Sequence, residues 1–362
     1  MATSPPRLFE PVHLRGLEVP HRLWVSPMCQ YSAVDGVPQP WHLAHLGSFA
    51  IGRAGLVFTE ATAVAPAGRI SPTDTGIWTA EQAEAWRPVV EFVHDQGVPI
   101  GIQLAHAGRK ASTRPPYRGR GYADESEGGW RTVGPSAIGY GRLPEPQALS
   151  VAEIEALVAD FVAAAQRSVD AGFDVVEIHA AHGYLLDEFL SPVSNRREDG
   201  YGGSFENRTR LLQEVLRAVR DRLPDRVPLT VRVSATHWTP EGWCVDDTVR
   251  LAPLLEAAGA DFISVSSGGN DPGQEIPVGP GYQVPLARRV RAAVGIPVGV
   301  AGMISTPDQA ETVLVDGAAD VVLAARQFLR EPTFALRAAA ELGGELTWPR
   351  QYRMAKFEGS IP

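Results

Sequence analysis

The sequence predicts one (β/α)8 TIM barrel, and two observations carry the prediction. Eight short segments rich in valine and isoleucine alternate with longer amphipathic ones, the pattern of βα units in a parallel sheet. The unit also repeats to the C-terminus with no linker. A length of 362 residues is near two average domains, but a barrel uses such a span as one. A single domain over residues 1–362 is therefore expected.

The expected strands are Leu23–Ser26, Leu56–Val64, Ile100–Ala105, Asp174–Ala180, Leu229–Ser234, Phe262–Ser266, Val298–Ala301 and Val321–Ala325. Continuous apolar runs such as Ala319–Ala325 suit strands covered outside by helices and packed inside. Helix starts are legible from their caps. Thr79 with Gln82 and Ser150 with Glu153 read as capping boxes, each partner satisfying a free backbone N–H. Thr306-Pro307 places proline at the first helical position, where its missing N–H costs nothing. After Ser150, the residues Ile154, Leu157, Val158, Phe161, Val162, Ala165 and Val169 share one helical face, and Gly172 ends the helix.

One stretch breaks the rhythm. Residues 107–149, after the third strand, are rich in Gly, Pro and Arg and carry Tyr117, Tyr122, Trp130 and Tyr140. So long a connection is either a lid-like binding loop or a surface excursion over the barrel mouth. Its early basic residues Arg109, Lys110, Arg114, Arg118 and Arg120 form no nucleic-acid motif.

Composition narrows the function. Hydrophobic residues make up 44% and charged residues 21%, the balance of a globular protein. A net charge of −9 disfavours nucleic-acid and anionic-membrane partners. Two cysteines, Cys29 and Cys244, cannot ligate an iron–sulfur cluster or build a disulfide framework. Lys110 and Lys356 are the only lysines among 33 basic residues, which leaves little room for Schiff-base chemistry. Neither a signal-peptide stretch nor a membrane span is read, so a cytoplasmic location is expected.

Barrel enzymes place their chemistry at the C-terminal ends of the strands, so polar residues there are informative. Gln103, Glu177, His179 and Arg232 hold such positions, and alternation puts Glu177 and His179 on one face. Arg232, flanked by valines, either pairs with Glu177 on the neighbouring strand or faces an anion or an electron-rich ring. His179 and His182 lack the spacing and the third ligand of a metal site. Two imidazoles can instead clamp one oxygen, with Tyr184 as a nearby proton source. Gly302 after the seventh strand and Ala325-Arg326 after the eighth occupy the usual phosphate position of such barrels. No G-x-G-x-x-G occurs, so a phosphate-bearing cofactor at the barrel top is expected rather than a Rossmann domain.

Three motifs carry a resemblance: Ser26-Pro-Met-Cys-Gln-Tyr31, His179-Ala-Ala-His-Gly-Tyr-Leu-Leu186, and the run from Ser191 to Arg208. Together they resemble the old yellow enzyme family, and Cys29 points to its thermophilic-like branch of NADPH dehydrogenases acting as ene-reductases. The resemblance spans about Leu8 to Arg330. It implies FMN lined by Ser26, Pro27, Met28, Cys29 and Ala63, with Gln103 on the pyrimidine end of the ring. It places Arg232 near the N1–C2 edge, where reduced flavin is negative, and Gly302, Ala325 and Arg326 on the phosphate. His179 and His182 would bind the substrate oxygen, Tyr31 would line the pocket, and Tyr184 would donate the proton. NADPH or NADH is the implied reductant and an enone the implied substrate. A homodimer or homotetramer is implied too, with the tail 345–362 reaching a neighbouring site through Tyr352 or Arg353. Ala325 stands where the family commonly has glycine, and a positive φ there would be strained. The rival readings are a barrel enzyme acting on another phosphate ligand and a barrel that only binds one.

Overall fold

The chain, seen in a computed structural model, is described over residues 5–119 and 121–357. Arg120 of the excursion and the last five residues of the tail lie outside the described residues. Eight parallel strands close a barrel in sequence order, the eighth pairing with the first. They are Leu23–Val25, Val57–Ala63, Ile100–Ala105, Val175–Ala180, Leu229–Ser234, Phe262–Ser266, Val298–Val300 and Val321–Ala324. Each expected strand is present. Ser26, Ala301 and Ala325 fall one residue beyond theirs, in the loops of the barrel top, although Ser26 N–H still donates to Ala324 O at 2.9 Å.

The barrel interior is layered by side-chain size. Trp24 and Phe262 meet ring to ring at 4.9 Å in the lower half. Glycines on neighbouring strands make room for this bulk. A Cβ on Gly101 would lie 2.4 Å from Phe58, and one on Gly299 the same distance from Phe262. A hairpin, Val12–Leu14 with Leu17–Val19, packs its apolar face into this cluster and floors the barrel. Filling the lower half with aromatics confines the polar layer to the top.

Helices form where the caps indicate. Thr79 and Ser150 make reciprocal boxes with Gln82 and Glu153. Thr306 accepts from Gln309 N–H ahead of Pro307, and Ser204 caps the helix Phe205–Arg222. The helix Val151–Asp170 buries Ile154, Leu157, Phe161 and Ala165 as expected. Val158, Val162 and Val169 are only partly buried, at the edge of that face.

The stretch 107–149 holds three short 3-10 turns and one small parallel pair, Val133–Gly134 with Gln147–Ala148. Arg109 anchors it. The guanidinium donates to Asn270 O (2.6 Å) and Oδ1 (3.0 Å) and to Ile138 O (3.2 Å). Tyr117 Oη donates to Tyr31 O at 2.7 Å, so the excursion touches the loop after the first barrel strand. Trp348 packs on Phe357 in the tail, while Tyr352 and Met354 are exposed. No helix among the described residues is long and apolar enough to cross a membrane.

Candidate active site

Strand alternation lifts one polar residue after another above the aromatic floor. Gln103 pairs in register with Glu177, and Arg232 lies between His179 and Ser264. The side chains follow. Gln103 Nε2 donates to Glu177 Oε1 at 2.7 Å, and Arg232 Nη1 donates to Ser26 Oγ at 2.9 Å. Arg232 therefore does not close an ion pair with Glu177. It leans toward the first strand, although its charge still opposes the burial that pushes Glu177 up to about 7.

His179 and His182 meet edge to face at 5.1 Å, and His179 and Tyr184 at 5.2 Å. Both imidazoles titrate well below 6.5, first because they are buried and then because Arg232 and Lys110 are nearby cations. They are neutral at physiological pH, each with one donor and one acceptor nitrogen. His182 Nε2 lies 2.7 Å from Ser266 Oγ. If that hydroxyl donates to Nε2, the ring proton is left on Nδ1. Burial raises the Tyr184 hydroxyl well above its ordinary value, with Cys29 adding to the effect. Tyr184 is thus a neutral acid.

The loop from Ser26 to Tyr31 is fixed from beneath. Gln30 N–H donates to Glu60 Oε2 and His42 Nε2 meets Glu60 Oε1, both at 2.9 Å. Cys29 packs with Ala61, Ala105 and Tyr184. Its thiol is held well above its usual range by burial, reinforced by Asp74 and Glu60. Tyr31 shares a hydrogen bond with Cys29, and burial raises it as well.

Six of the expected residues line one cavity of about 260 Å³: Ser26, Pro27, Arg232, Gly302, Ala325 and Arg326. Gly302 is left-handed (φ 125°) and a Cβ there would crowd Gln283 at 3.1 Å, so glycine is required. Ala325 is not left-handed, since its φ is −113°, so the positive-φ strain expected of a non-glycine residue does not arise. Met28, Cys29, Ala63 and Gln103 belong to the same strand ends but lie outside that lining. A second cavity of about 390 Å³ is lined by Tyr31 and Tyr184 together with Ile70, Lys110, Tyr140 and Leu143.

The donor set suits a flavin mononucleotide. Arg232 Nε and His179 Nδ1 are buried without a protein partner, and neither Arg326 nor Arg330 meets a carboxylate among the described residues. Cationic donors beside a glycine-lined cradle fit a phosphate and an electron-rich ring edge. Among the described residues no three metal-ligating side chains converge.

Ser266, Lys110, Tyr140 and Arg330 are site residues that the sequence reading did not single out. Lys110 Nζ donates to His182 O (2.7 Å) and Gly269 O (2.8 Å), beneath the rings of Tyr140 and Tyr184. Burial lowers it to about 8, against the pull of Asp187 and Glu188. Its rarity in an arginine-rich chain was the available signal. Ser266 could have been found by alternation from Ser264.

Comparison with known proteins agrees with this geometry. The family described as NADH:flavin oxidoreductase / NADH oxidase matches residues 7–345. An NADH:flavin oxidoreductase of Gibberella zeae is 46% identical over 95% of this chain and 88% of its own. An NADPH dehydrogenase of Geobacillus thermodenitrificans is 45% identical over 95% of this chain and 97% of its own. Among solved structures, morphinone reductase superposes with a TM-score of 0.78 at 30% identity, over 96% of this chain and 93% of that one. Morphinone reductase in complex with tetrahydroNAD gives a TM-score of 0.76, also at 30% identity, over 95% and 93%.

Proposed function

This chain belongs to the old yellow enzyme family of NADH:flavin oxidoreductases, an FMN-dependent ene-reductase drawing on NAD(P)H, and from that premise we propose how its own residues act on an α,β-unsaturated carbonyl compound. FMN, when bound, would supply the hydride chemistry that couples nicotinamide oxidation to reduction of the activated C=C bond. Ser26, Pro27, Met28, Cys29, Ala63, Gln103 and Arg232 would hold its ring, and Gly302, Ala325 and Arg326 its phosphate.

The observation that carries the reading is the contact of His179 with both His182 and Tyr184 at the mouth. The two neutral imidazoles donate to the carbonyl oxygen of the enone. Those bonds strengthen as negative charge gathers on that oxygen, so they favour the transition state over the ground state. Tyr184 delivers the proton to Cα, and Tyr31 closes the pocket beside it. The excursion 107–149 caps the mouth, as its bonds to Tyr31 and Asn270 support. A homodimer or homotetramer in the cytoplasm, with the tail 345–362 against a neighbour's mouth, completes the reading. The exposed Tyr352 and Met354 support it.

The test is a double variant, His179→Ala with His182→Ala. It should keep FMN bound and bleach anaerobically with NADPH, yet lose both p-hydroxybenzaldehyde binding and enone turnover. Unchanged enone turnover would overturn the clamp.

A further inference from the structure

The clamp is held in an unusual turn. His182 and Gly183 are both left-handed, with φ of 62° and 70°. A non-glycine residue stays in that conformation only where its surroundings impose it. Here three side chains do so. Ser234 Oγ accepts from His182 N–H at 2.9 Å, and Lys110 Nζ donates to His182 O at 2.7 Å. Asp187 Oδ2 accepts from Gly183 N–H at 2.6 Å.

Asp187 is itself held. Its other oxygen, Oδ1, faces His237 Nε2 at 2.9 Å, and both side chains are buried. His237 N–H donates to Trp243 O at 2.8 Å, which fixes the loop after the fifth strand. Asn270 Nδ2 also reaches Asp187 O at 3.3 Å. Neither Asp187 nor His237 lines either cavity, so neither is placed to touch substrate. Their hydrogen-bonded route to the chemistry is the amide of Gly183, the residue between His182 and Tyr184 in the chain, and the Asp187 charge also acts on Lys110.

We propose that Asp187 and His237 form a positioning pair that fixes the spacing between the carbonyl clamp and the proton donor, an inference that rests on the clamp reading above. The carboxylate accepts twice, from Gly183 N–H and from His237 Nε2–H. A carboxylate is needed because an aliphatic side chain would leave the Gly183 amide buried and unpaired. The imidazole is needed because it keeps the carboxylate turned toward that amide. The pair is reversible in principle. In D187H/H237D, the imidazole at 187 accepts from Gly183 N–H through one nitrogen and donates through the other to the carboxylate at 237.

That reversal is the test. D187A, H237A, the bulkier aliphatic D187L and H237L, and the swap D187H/H237D are compared with the parent, each normalised to its bound FMN. The readouts are the dissociation constant for p-hydroxybenzaldehyde, the KM and kcat for cyclohexenone, and the melting temperature. D187A and H237A should weaken phenol binding and raise KM by about tenfold, the effect of one misplaced hydrogen-bonding group. The swap should return to within about threefold of the parent, a strongly non-additive cycle. A swap as weak as the product of the two single variants would overturn the proposal. If D187A or H237A does not fold, the bulkier aliphatic D187L and H237L decide, since neither can make the bonds, and parent-like binding in both refutes it. H179A/H182A separates this inference from its premise. If that variant still binds the phenol, the clamp reading fails and takes the inference with it. If it loses binding while D187L and H237L keep it, the positioning pair alone is wrong.

Discussion

Gly183→Ala tests how tightly the clamp turn is built. Gly183 has a φ of 70°, so alanine incurs the left-handed penalty of about 1–2 kcal/mol. The added Cβ would also lie 2.1 Å from Gly269 O, 2.5 Å from Gly269 C and 2.6 Å from Asn270 Cα. All three are backbone atoms, which cannot rotate aside, and forced repacking of this kind costs about 1–3 kcal/mol more. The expected loss is about 2–5 kcal/mol in all. Gly97→Ala is the matched control. Its φ is 73° but a Cβ there meets nothing within 4 Å, so it carries the conformational term alone. Urea unfolding of the flavin-loaded proteins, read by fluorescence, measures the difference, expected at about 1–3 kcal/mol. The strain should also reach the site, since the atoms that must move flank His182. Weaker p-hydroxybenzaldehyde binding is expected in Gly183→Ala and not in Gly97→Ala. Equal destabilisation of the two variants would refute the argument.

Three further outcomes are expected. Tyr184→Phe should slow flavin reoxidation by an enone about 100-fold, the lower range for a lost general acid, and leave reduction by NADPH unchanged; equal slowing of both half-reactions would assign Tyr184 to packing. Burial holds the Cys29 thiol protonated at pH 8, so iodoacetamide should label the exposed Cys244 first and Cys29 only at higher pH or after unfolding; equal labelling at pH 8 would contradict the raised value, and Cys29→Ala should stay active with an altered flavin potential. Deleting the residues after Pro349 should weaken self-association and raise the KM for enones, as followed by analytical ultracentrifugation and steady-state kinetics; unchanged assembly and kinetics would remove the tail from the site.

What could be read from the sequence was whatever depends on near neighbours in the chain. The eight strands were legible because each is a short apolar run that ends where its loop begins. Thr79, Ser150 and Thr306 were legible because a cap and its partner lie three residues apart. His179, His182 and Tyr184 share a six-residue motif, so their crowding was predictable. The partners of those residues were not. Ser266 meets His182 and His237 meets Asp187 only because barrel closure brings together residues 84 and 50 apart in sequence. Arg232 shows the same limit. Glu177 was the natural partner by strand adjacency, but register sets Glu177 opposite Thr230, and the guanidinium crosses to Ser26, 206 residues away. Ala325 illustrates the converse, since the family's usual glycine suggested a positive φ that the backbone does not adopt.

The electrostatics of the site explain how neutral histidines can serve as the clamp. Arg232 and Lys110 already make the mouth electropositive, and with burial they keep His179 and His182 unprotonated. A ligand oxygen that is neutral in the ground state gains a pair of aligned N–H donors and little else from such a clamp. Once that oxygen becomes anionic, the same two cations and the same two donors all act on it at once, in a site where burial strengthens each term. Burial weakens two of the nearby acids as well. Glu177 is pushed up to about 7 by burial and bonded to Gln103, and Tyr184 keeps its proton until a carbanionic carbon draws it off. On the proposed reading, the arrangement of Arg232, Lys110, two neutral imidazoles and one neutral phenol separates the roles: charge to stabilise the oxygen, and a withheld proton for the carbon.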